Sequence, residues 1–365
     1  MINSRECMKR ALSLAQKGKY LTSPNPMVGC VITKDNKIIG EGWHEEVGKN
    51  HAEINAIESV KKRHGENYLK LLQNSIFHLT LEPCSKKGKT EACCDTLIKL
   101  KIGKVIVCSK ESSQEGIKKL TEAGIQIEEA SRSLQQKAYK INQGFFSRIQ
   151  KGRPFIQCKI GISSDGGVAL ENGHSQWITS KKSRIDVHLL RAEMDAILTG
   201  IGTILADDPQ LTARGIKSIN FRQPLRCVAD THCKMMGTER ILNAEKDVII
   251  FSKDKPSNLK SSIQYIKTPC KENSLDLKHV MKWLGDQKIN SLLIESGPRL
   301  IDSLITEGLI DQFIFYIAPK ILGKERINFF DGIRNSPKLA KIDLLIDTIE
   351  PIGKDLKILA TPIYI

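Results

Sequence analysis

The sequence predicts an α/β protein made of two domains. The chain has 365 residues, which is more than one hydrophobic core normally serves. Predicted strands and helices alternate along both halves, as they do in α/β proteins. Between the halves lies Lys151-Gly152-Arg153-Pro154, a charged segment with both residue types that interrupt regular structure. We therefore predict one domain over residues 1–148 and a second over residues 149–365.

Composition narrows the class of protein. Hydrophobic residues make up 40% of the chain, and no apolar run is long enough to cross a bilayer. The first residues lack the pattern of a secretory signal, so we expect a cytoplasmic protein with no membrane partner. The ten cysteines are then expected to be metal ligands or free thiols. The net charge of +15 is compatible with a nucleic-acid partner, a phosphorylated small molecule or a lysine-rich proteome.

In the first half, each predicted element follows from a local pattern. Residues 4–18 place apolar side chains on one helical face, with Ser4 as the expected cap and Gly18 as the end. Asp35-Asn36 separates two apolar runs and predicts a hairpin. The same criteria predict strands at 27–33, 37–40, 75–81 and 104–108, and helices at 51–64, 114–123 and 134–148.

The main chemical motif of this half contains one histidine, one glutamate and two cysteines. His51 and Glu53 stand two residues apart, and Cys84 and Cys93 follow with eight residues between them. Zinc nucleobase deaminases have these residue types in this order, although many place only two residues between the cysteines. We predict His51, Cys84 and Cys93 as zinc ligands, with the fourth position left to water and Glu53 as the catalytic proton carrier. A buried histidine and structural cysteines in an ordinary α/β core are the alternative.

Three further expectations concern the surroundings of this motif. The strand at 75–81 should deliver Cys84 to a helix N-terminus, which favours a thiolate. Asn25 lies between two prolines, so its amide is either held to contact a pyrimidine or closes an Asx turn. His44 is either a substrate contact or an ordinary surface histidine.

The second half has the strand-and-helix alternation of a nucleotide-binding fold without its best-known fingerprint. Gly200-Ile201-Gly202-Thr203 allows close backbone approach to a ligand but does not complete the Rossmann glycine pattern. Glu295-Ser296-Gly297-Pro298 joins a strand to a helix and is a candidate phosphate cradle, although such turns are frequent. Strands are expected at 155–160, 196–199, 225–229, 247–251, 291–294, 312–317 and 357–365, and helices at 180–193 and 299–307.

Taken together, the motifs of the whole chain resemble those of one family, the bifunctional deaminase/reductases of riboflavin biosynthesis. The motifs that carry the resemblance are Thr22-Ser23-Pro24-Asn25-Pro26-Met27-Val28-Gly29, Gly40-Glu41-Gly42-Trp43-His44, His51-Ala52-Glu53, Thr80-Leu81-Glu82-Pro83-Cys84-Ser85, Ser175-Gln176-Trp177-Ile178-Thr179, Leu190-Arg191, Asp195-Ala196-Ile197, Asp207-Asp208-Pro209, Leu211-Thr212 and Ala318-Pro319. The long spacing between Cys84 and Cys93 is also a mark of this family.

The resemblance implies a cytidine-deaminase-like zinc domain followed by a dihydrofolate-reductase-like domain. It implies hydrolytic deamination of a phosphoribosylated diaminopyrimidine, then reduction of the ribosyl group by NADPH, in a homo-oligomer assembled through the reductase half and without nucleic acid. By matching motifs, Asn25 and His44 contact the pyrimidine. The implied substrate contacts of the reductase are Ser175, Arg191, Leu211, Arg214 and Glu295. The implied NADPH contacts are Gly161, Trp177, Thr203, Asp207, Gly297, Pro298, Arg299, Leu300, Ile301, Asp302 and Ser303.

Three departures from the family pattern lie around the deaminase motif. Lys86 replaces a histidine, Glu91-Ala92 replace two prolines, and residues 109–114 replace a longer Asp-Pro-Asn-Pro loop. They leave open a reductase whose first domain only binds a ligand or partner. A nucleic-acid base deaminase with an appended domain is the third hypothesis, which the net charge motivates.

Overall fold

The computed structural model divides the chain into two compact units, over residues 1–146 and 147–365. It describes residues 3–86, 91–111, 115–170, 178–217, 219–243, 248–255, 263–271, 273–324, 326–329 and 342–364. Within these residues, none of the helices has both the length and the apolar character needed to span a membrane.

The first unit is a five-stranded sheet with helices on both faces. Its order is β2-β1-β3-β4-β5; β1 is antiparallel to both neighbours, and β3, β4 and β5 are parallel. The strands are β1 Gly29–Lys34, β2 Lys37–Trp43, β3 Ile76–Leu79, β4 Lys104–Val107 and β5 Gln126–Glu129. The helices are α1 Ser4–Ala15, α2 Ala52–His64, α3 Tyr68–Leu72, α4 Cys93–Lys99, α5 Gly116–Glu122, α6 Arg132–Ile141 and α7 Gln143–Lys151, which continues across the division.

Close helix packing fixes the position of the predicted metal motif. A Cβ atom added at Gly42 in β2 would lie 2.3 Å from the backbone nitrogen of Ala56, so only glycine allows α2 to come this near.

The β1–β2 hairpin turns through Asp35 and Asn36, both with positive φ, as two-residue hairpin turns require. The predicted hairpin is therefore confirmed, and it holds the start of α2 against the sheet.

Two predictions for the helices of this unit are wrong. Asn3, and not Ser4, caps α1, because its side chain accepts the backbone N–H of Glu6 in a reciprocal capping box. The single helix expected over 134–148 is two helices with a break at Asn142. The buried amide of Asn142 bonds both the N–H and the carbonyl of Met27, at 2.8 and 2.9 Å.

The second unit is built on a nine-stranded sheet of order β11-β10-β9-β8-β14-β6-β15-β18-β17. The first seven strands in that order are parallel, and β18 and β17 complete the sheet as an antiparallel hairpin. The strands are β6 Phe155–Ser163, β7 Gly167–Leu170, β8 Ala196–Gly200, β9 Leu225–Ala229, β10 Val248–Ser252, β11 Gln264–Lys267, β12 Cys270–Lys271, β13 Ser274–Leu275, β14 Ser291–Ile294, β15 Gln312–Ala318, β16 Arg326–Asn328, β17 Ile342–Ile352 and β18 Asp355–Tyr364. The helices are α8 Lys181–Glu193, α9 Ile201–Asp207, α10 Leu277–Asp286 and α11 Pro298–Thr306.

Alternating side chains divide this sheet into two faces, each with its own core. In β14, Leu292 and Ile294 join the core that includes α10 and α11, whereas Leu293 joins the core that includes α8 and α9. Because side chains alternate along a strand, Glu295 extends the face of Leu293, toward α8. In β6, Cys158 and Ile160 belong to the first core, so Lys159 also points toward the α8 face.

Candidate active sites

His51, Cys84 and Cys93 form the metal-binding cluster that the sequence predicts. Their ligand atoms all lie within 4.8 Å of one another. The His51 Nδ1 atom is 3.6 Å from the Cys84 sulfur and 3.3 Å from the Cys93 sulfur. Tetrahedral zinc, with its usual bond lengths to sulfur and nitrogen, separates such ligand pairs by roughly 3.5 Å. The described geometry and the donor set therefore fit one zinc ion.

The helix N-terminus beside this cluster is that of α4, which begins at Cys93 and not at Cys84. Cys84 lies in the loop after β3, whereas Cys93 is the first residue of α4. The expectation that Cys84 begins a helix is therefore wrong. The Cys93 N–H nevertheless donates to the Cys84 sulfur at 3.3 Å. Hydrogen bonds from Cys93 and from the His51 imidazole lower the pKa of the Cys84 thiol, which favours its thiolate.

Glu53 lies in the first turn of α2, two residues after His51. The side chain is 3% exposed and lines the same cavity as His51 and Cys84. Burial raises the pKa of its carboxyl, while the nearby His51 lowers it. A carboxyl whose pKa is shifted toward neutrality can both take up and release a proton during turnover.

Asn25 and His44 form a hydrogen-bonded pair in the wall of this cavity. The Asn25 Nδ2 atom is 3.1 Å from His44 Nε2, and His44 Nδ1 is 3.0 Å from the carbonyl of Asn50. Since an amide NH₂ only donates and a carbonyl only accepts, His44 carries its proton on Nδ1. Burial lowers the pKa of His44, which favours this neutral form. The Asn25 carbonyl oxygen is then oriented by a fixed partner.

The cavity that Glu53 lines has a volume of about 220 Å³. Besides the predicted residues, Val28, Leu81, Glu82, Glu111 and Phe145 line it. Phe145 comes from α7, more than ninety positions after His51, and no local motif marks it. Its contribution could not be inferred from spacing along the chain.

Glu82 anchors the backbone at two positions after β4. Its buried carboxylate accepts the backbone N–H of Glu111 at 3.2 Å and that of Ile117 at 2.9 Å. Two such bonds to a charged acceptor are among the stronger hydrogen bonds in proteins. Glu111, which lines the cavity, is thereby fixed in position.

In the second unit, Glu295 is the centre of a buried ion-pair cluster. Arg191 on α8 approaches both carboxylate oxygens, with Nε at 2.5 Å and Nη2 at 3.0 Å, and Lys159 Nζ is 3.1 Å away. Burial raises the pKa of Glu295, but the charges of Arg191 and Lys159 outweigh it and lower the pKa to about 2. Sequence reasoning missed Lys159, which has no motif around it.

Leu211 and Arg214, two further predicted substrate contacts, lie on either side of Thr212 in the sequence. Leu211 is buried with a φ of 51°, and the carbonyl of the next residue, Thr212, accepts from Arg191 Nη1 at 3.1 Å. Arg214 is exposed, and the charges of Arg191 and Arg240 act on its guanidinium. Such clustered cations favour an anionic ligand. Ser175 lies outside the described residues.

A cavity of about 690 Å³ lies at the carboxyl ends of β8, β9 and β14. Of the predicted NADPH contacts, seven line it: Thr203, Asp207, Gly297, Pro298, Arg299, Leu300 and Ser303. Thr203 Oγ1 accepts the N–H of Gly297 at 3.0 Å and so joins the two lining turns. The Ser296 Oγ atom likewise accepts the N–H of Gly200 at 3.0 Å. Open parallel sheets bind ligands at this edge.

Three of the remaining predicted NADPH contacts, Gly161, Ile301 and Asp302, do not line this cavity. The Ile301 side chain is fully buried in the core, and Asp302 follows it on α11. Gly161 lies in β6, where an added Cβ would meet Thr179 at 3.5 Å. Trp177 lies outside the described residues. Sequence reasoning also missed the walls after β9 and before α10, which include Ala229, Asp230, Thr231, His232, Lys234, Asn273, Ser274, Leu275 and Leu277.

Comparison with known families matches both halves of the chain. Residues 1–109 match the cytidine and deoxycytidylate deaminase zinc-binding region, which covers all three proposed ligands. Residues 154–358 match the RibD C-terminal domain. The predicted α/β class and the order of a deaminase domain followed by a reductase domain are thereby confirmed.

Full-length relatives have the same arrangement. The riboflavin biosynthesis protein RibD of Escherichia coli is 38% identical over 350 residues, covering 92% of each chain. The RibD protein of Haemophilus influenzae is 36% identical, covering 99% of this chain and 98% of its own. Among solved structures, Acinetobacter baumannii RibD matches with a TM-score of 0.88 at 31% identity, over 99% of both chains. A deaminase/reductase from Thermotoga maritima matches with a TM-score of 0.87 at 30% identity, again over 99% of both.

Proposed function

The chain belongs to the RibD family of bifunctional deaminase/reductases, and on that premise we propose which of its residues carry the two reactions. The first is the zinc-dependent hydrolytic deamination of 2,5-diamino-6-(5-phosphoribosylamino)pyrimidin-4-one. The second is the NADPH-dependent reduction of the ribosyl group of the product, 5-amino-6-(5-phosphoribosylamino)uracil, to a ribityl chain. Both belong to riboflavin biosynthesis. The observation that carries the proposal is a complete metal-and-glutamate site in one unit together with a large nucleotide-sized cavity in the other.

In the deaminase unit, we assign the zinc to His51, Cys84 and Cys93. Bound there, zinc would lower the pKa of a water molecule enough to supply hydroxide at neutral pH. Glu53 takes up the proton of that water and passes it to the leaving amine. Asn25, oriented by His44, hydrogen bonds the pyrimidine edge in the cavity of about 220 Å³. The buried surroundings of Glu53 support its role, because they favour proton uptake.

In the reductase unit, bound NADPH would supply the hydride for the sugar carbon, and a residue of the chain supplies the proton for the adjacent oxygen or nitrogen. Lys159 is the proposed proton donor, since its ammonium is part of the cluster around Glu295. Glu295 positions both Lys159 and Arg191. Arg191 and Arg214 supply positive charge for the substrate phosphate, which guanidinium groups can bind in a bidentate manner. The residues that line the cavity of about 690 Å³ would hold NADPH.

Two variants of the full chain test the roles proposed for Glu53 and Lys159. Glu53→Gln keeps the size of the side chain but not its base, so we expect ammonia release to fall at least about a hundredfold. Lys159→Met removes the proton donor, so we expect NADPH oxidation with the deaminated substrate to fall by about the same factor. Each variant should keep the other activity, which serves as the control for folding, and Glu53→Gln should keep its zinc.

A second candidate function is a reductase whose first unit only binds a ligand. The departures from the family pattern at Lys86 and in residues 109–114 favour this second function. The complete metal cluster and Glu53 favour catalysis instead. Ammonia release by the wild-type protein that Glu53→Gln abolishes would exclude the binding-only alternative, whereas zinc-loaded protein without ammonia release would support it.

We also propose that the chain forms a homo-oligomer through the β17–β18 hairpin. Along β17, Leu344, Leu345 and Ile346 are all exposed, so apolar groups face solvent on both sides of this strand. Ile349, Leu356, Ile363 and Tyr364 extend the apolar surface. In the described chain, no strand pairs with the outer edge of β17. Long apolar edge strands of this kind are normally covered, and a second copy of the chain is the proposed cover.

We assign the protein to the cytoplasm. All ten cysteines are free thiols in the structure, and Cys84 and Cys93 must remain unoxidised to hold zinc. A reducing compartment keeps thiols in this state. Both proposed substrates and NADPH are phosphorylated small molecules, which suits the net charge of +15 without a nucleic-acid partner.

A further inference from the structure

Helix α8 carries Arg191, one of the two arginines to which we assign the substrate phosphate. Three of the five N–H donors of its guanidinium are used within the described chain, because Nε and Nη2 contact Glu295 and Nη1 contacts the carbonyl of Thr212. Two donors therefore remain for a ligand. Their direction depends on where α8 places the backbone of Arg191, since Glu295 and Thr212 belong to other parts of the unit.

Apolar packing holds the first half of α8 only weakly. The structure describes the whole helix, and its buried side chains are Ser183, Leu190 and Ala192. Leu190 and Ala192 flank Arg191 near the end of the helix. In the first two turns, the half-buried Val187 packs against the core, and the one buried side chain is the polar Ser183. A helix with so little apolar burial depends on other contacts for its position.

The strand β18 provides the first of these contacts at the N-terminus of α8. Asp355, the first residue of β18, is 1% exposed. Its Oδ2 atom accepts the N–H of Ser180 and the hydroxyl of Ser183, each at 2.6 Å. Ser180 is the N-cap of α8. Because the carboxylate is enclosed, little water competes for these bonds, and they fix the first turn of the helix against β18.

A second contact to β18 lies one turn further along the helix. Asp186 Oδ2 accepts from Lys357 Nζ at 2.8 Å and from the hydroxyl of Tyr316. Tyr316 is buried and lies opposite Lys357 where β15 pairs with β18. Because side chains alternate along a strand, Asp355 and Lys357 extend from the same face of β18, toward α8. The two contacts together fix the half of α8 that apolar packing leaves weakly held.

We propose that Asp355 and Lys357 are positioning residues of the reductase, which act on substrate binding through α8 and Arg191. A small displacement of a substrate-binding residue is enough to weaken an enzyme substantially. The phosphate is remote from the carbon that is reduced, so Arg191 binds it equally in the ground state and in the transition state. Loss of the contacts to β18 should therefore raise the KM and leave the kcat nearly unchanged.

Steady-state kinetics of the full chain, with the deaminated substrate and NADPH, test this proposal. Lys357→Met should raise the KM for that substrate roughly tenfold, the change expected when one hydrogen bond to a charged group is lost. Asp355→Ala should act in the same direction. Lys357→Arg can still pair with Asp186, so its KM should stay close to that of the wild type. An unchanged kcat in each variant shows that the second unit is folded.

A double-mutant cycle with Arg191→Met shows whether the effect passes through Arg191. If it does, Lys357→Met adds no further increase in KM once Arg191 is replaced. A full additional increase in that background would assign Lys357 to the substrate directly and overturn the proposal. So would a wild-type KM in both Lys357→Met and Asp355→Ala, or a loss confined to kcat.

Lys282→Met is the matched control. Lys282 is also paired with an aspartate, Asp286, at 3.2 Å, but the pair is exposed on α10. Its KM should equal that of the wild type, and an increase as large as that of Lys357→Met would contradict a specific role for the contacts to β18.

Because this role rests on the proposed reductase function, a binding measurement separates the two. Absence of NADPH oxidation by the wild-type protein would contradict the function itself. Calorimetric titration with ribose 5-phosphate, which has the sugar and the phosphate of the substrate, needs no turnover. Lys357→Met should weaken that binding by about the same factor as it raises the KM. Equal binding by the variant and the wild type would overturn the positioning role alone.

Discussion

At the scale of single residues, the two sites use buried carboxylates in opposite ways. Burial raises the pKa of Glu53, which suits the proton-carrying role that we propose for it. Glu295 is equally enclosed, but Arg191 and Lys159 lower its pKa to about 2, so it stays charged and positions its partners. The neighbours of a carboxylate, and not its burial alone, therefore decide its role in each unit.

The low pKa of Glu295 predicts a pH-dependent contribution to stability. Because the folded pKa is about 2 and the ordinary value is 4.5, the ionised form stabilises the fold fully above pH 4.5. The contribution declines as pH falls from there toward 2. Glu295→Gln should remove this pH-dependent part, on the order of 3 kcal/mol. Urea unfolding of the second unit at several pH values should show a wild-type advantage that shrinks with acidification; a constant difference would contradict it.

Residues within short motifs could be predicted from the sequence, and residues brought together by folding could not. His51, Cys84 and Cys93 were predictable because the chemistry of zinc restricts both residue type and order. Lys159 and Phe145 were not, since each sits among ordinary strand or helix residues. Lys159 becomes visible only when the alternation of β6 places it beside Glu295.

At the scale of elements, the regular strands of both cores were predictable, and the breaks between elements were not. The strands β9 and β14 match their predicted bounds, because each is a short apolar run between turn residues. The break between α6 and α7 interrupts a continuous helical pattern. It depends on Asn142 bonding the backbone of Met27, a contact between residues 115 positions apart. The periodicity of apolar residues along the chain cannot reveal such a contact.

The two hydrogen bonds between Asn142 and Met27 should stabilise the deaminase unit. Asn142→Ala leaves the N–H and carbonyl of Met27 without their partners in a half-buried loop, at a cost on the order of 2 kcal/mol. Met27 is two residues after Asn25, so the KM for the diaminopyrimidine should rise as well. Asn142→Asp, which keeps the acceptor and loses the donor, should show a smaller effect in thermal unfolding and kinetics. Equal behaviour of both variants and the wild type would exclude this role.

At the scale of the whole molecule, the order of domains was predictable, whereas the extent of the second sheet was not. The long strand β17 has a run of exposed apolar residues that does not alternate with polar ones, so its pattern is not that of a half-buried strand. A second protein surface is the physical reason we propose for this composition. The missing alternation is therefore itself informative about assembly.

The proposed assembly predicts a single-residue effect on oligomeric state. Leu345→Lys places a charge on the apolar edge, so we expect light scattering after size-exclusion chromatography to give a smaller species than the wild type. Leu69→Lys is the matched control, since Leu69 on α3 is also an exposed leucine and lies outside the hairpin. A monomeric wild-type protein, or an equal effect of both variants, would contradict the proposed interface.

The central claim is that one chain performs two successive reactions at two separate sites. The most direct test supplies purified, zinc-loaded protein with 2,5-diamino-6-(5-phosphoribosylamino)pyrimidin-4-one, first without and then with NADPH, and identifies the products by mass spectrometry. Without NADPH, we predict one equivalent of ammonia and accumulation of the phosphoribosylaminouracil. With NADPH, we predict its conversion to the ribityl compound, with one NADPH oxidised per molecule. Recovery of the unchanged diaminopyrimidine without NADPH, or of unreduced product with it, would contradict the account.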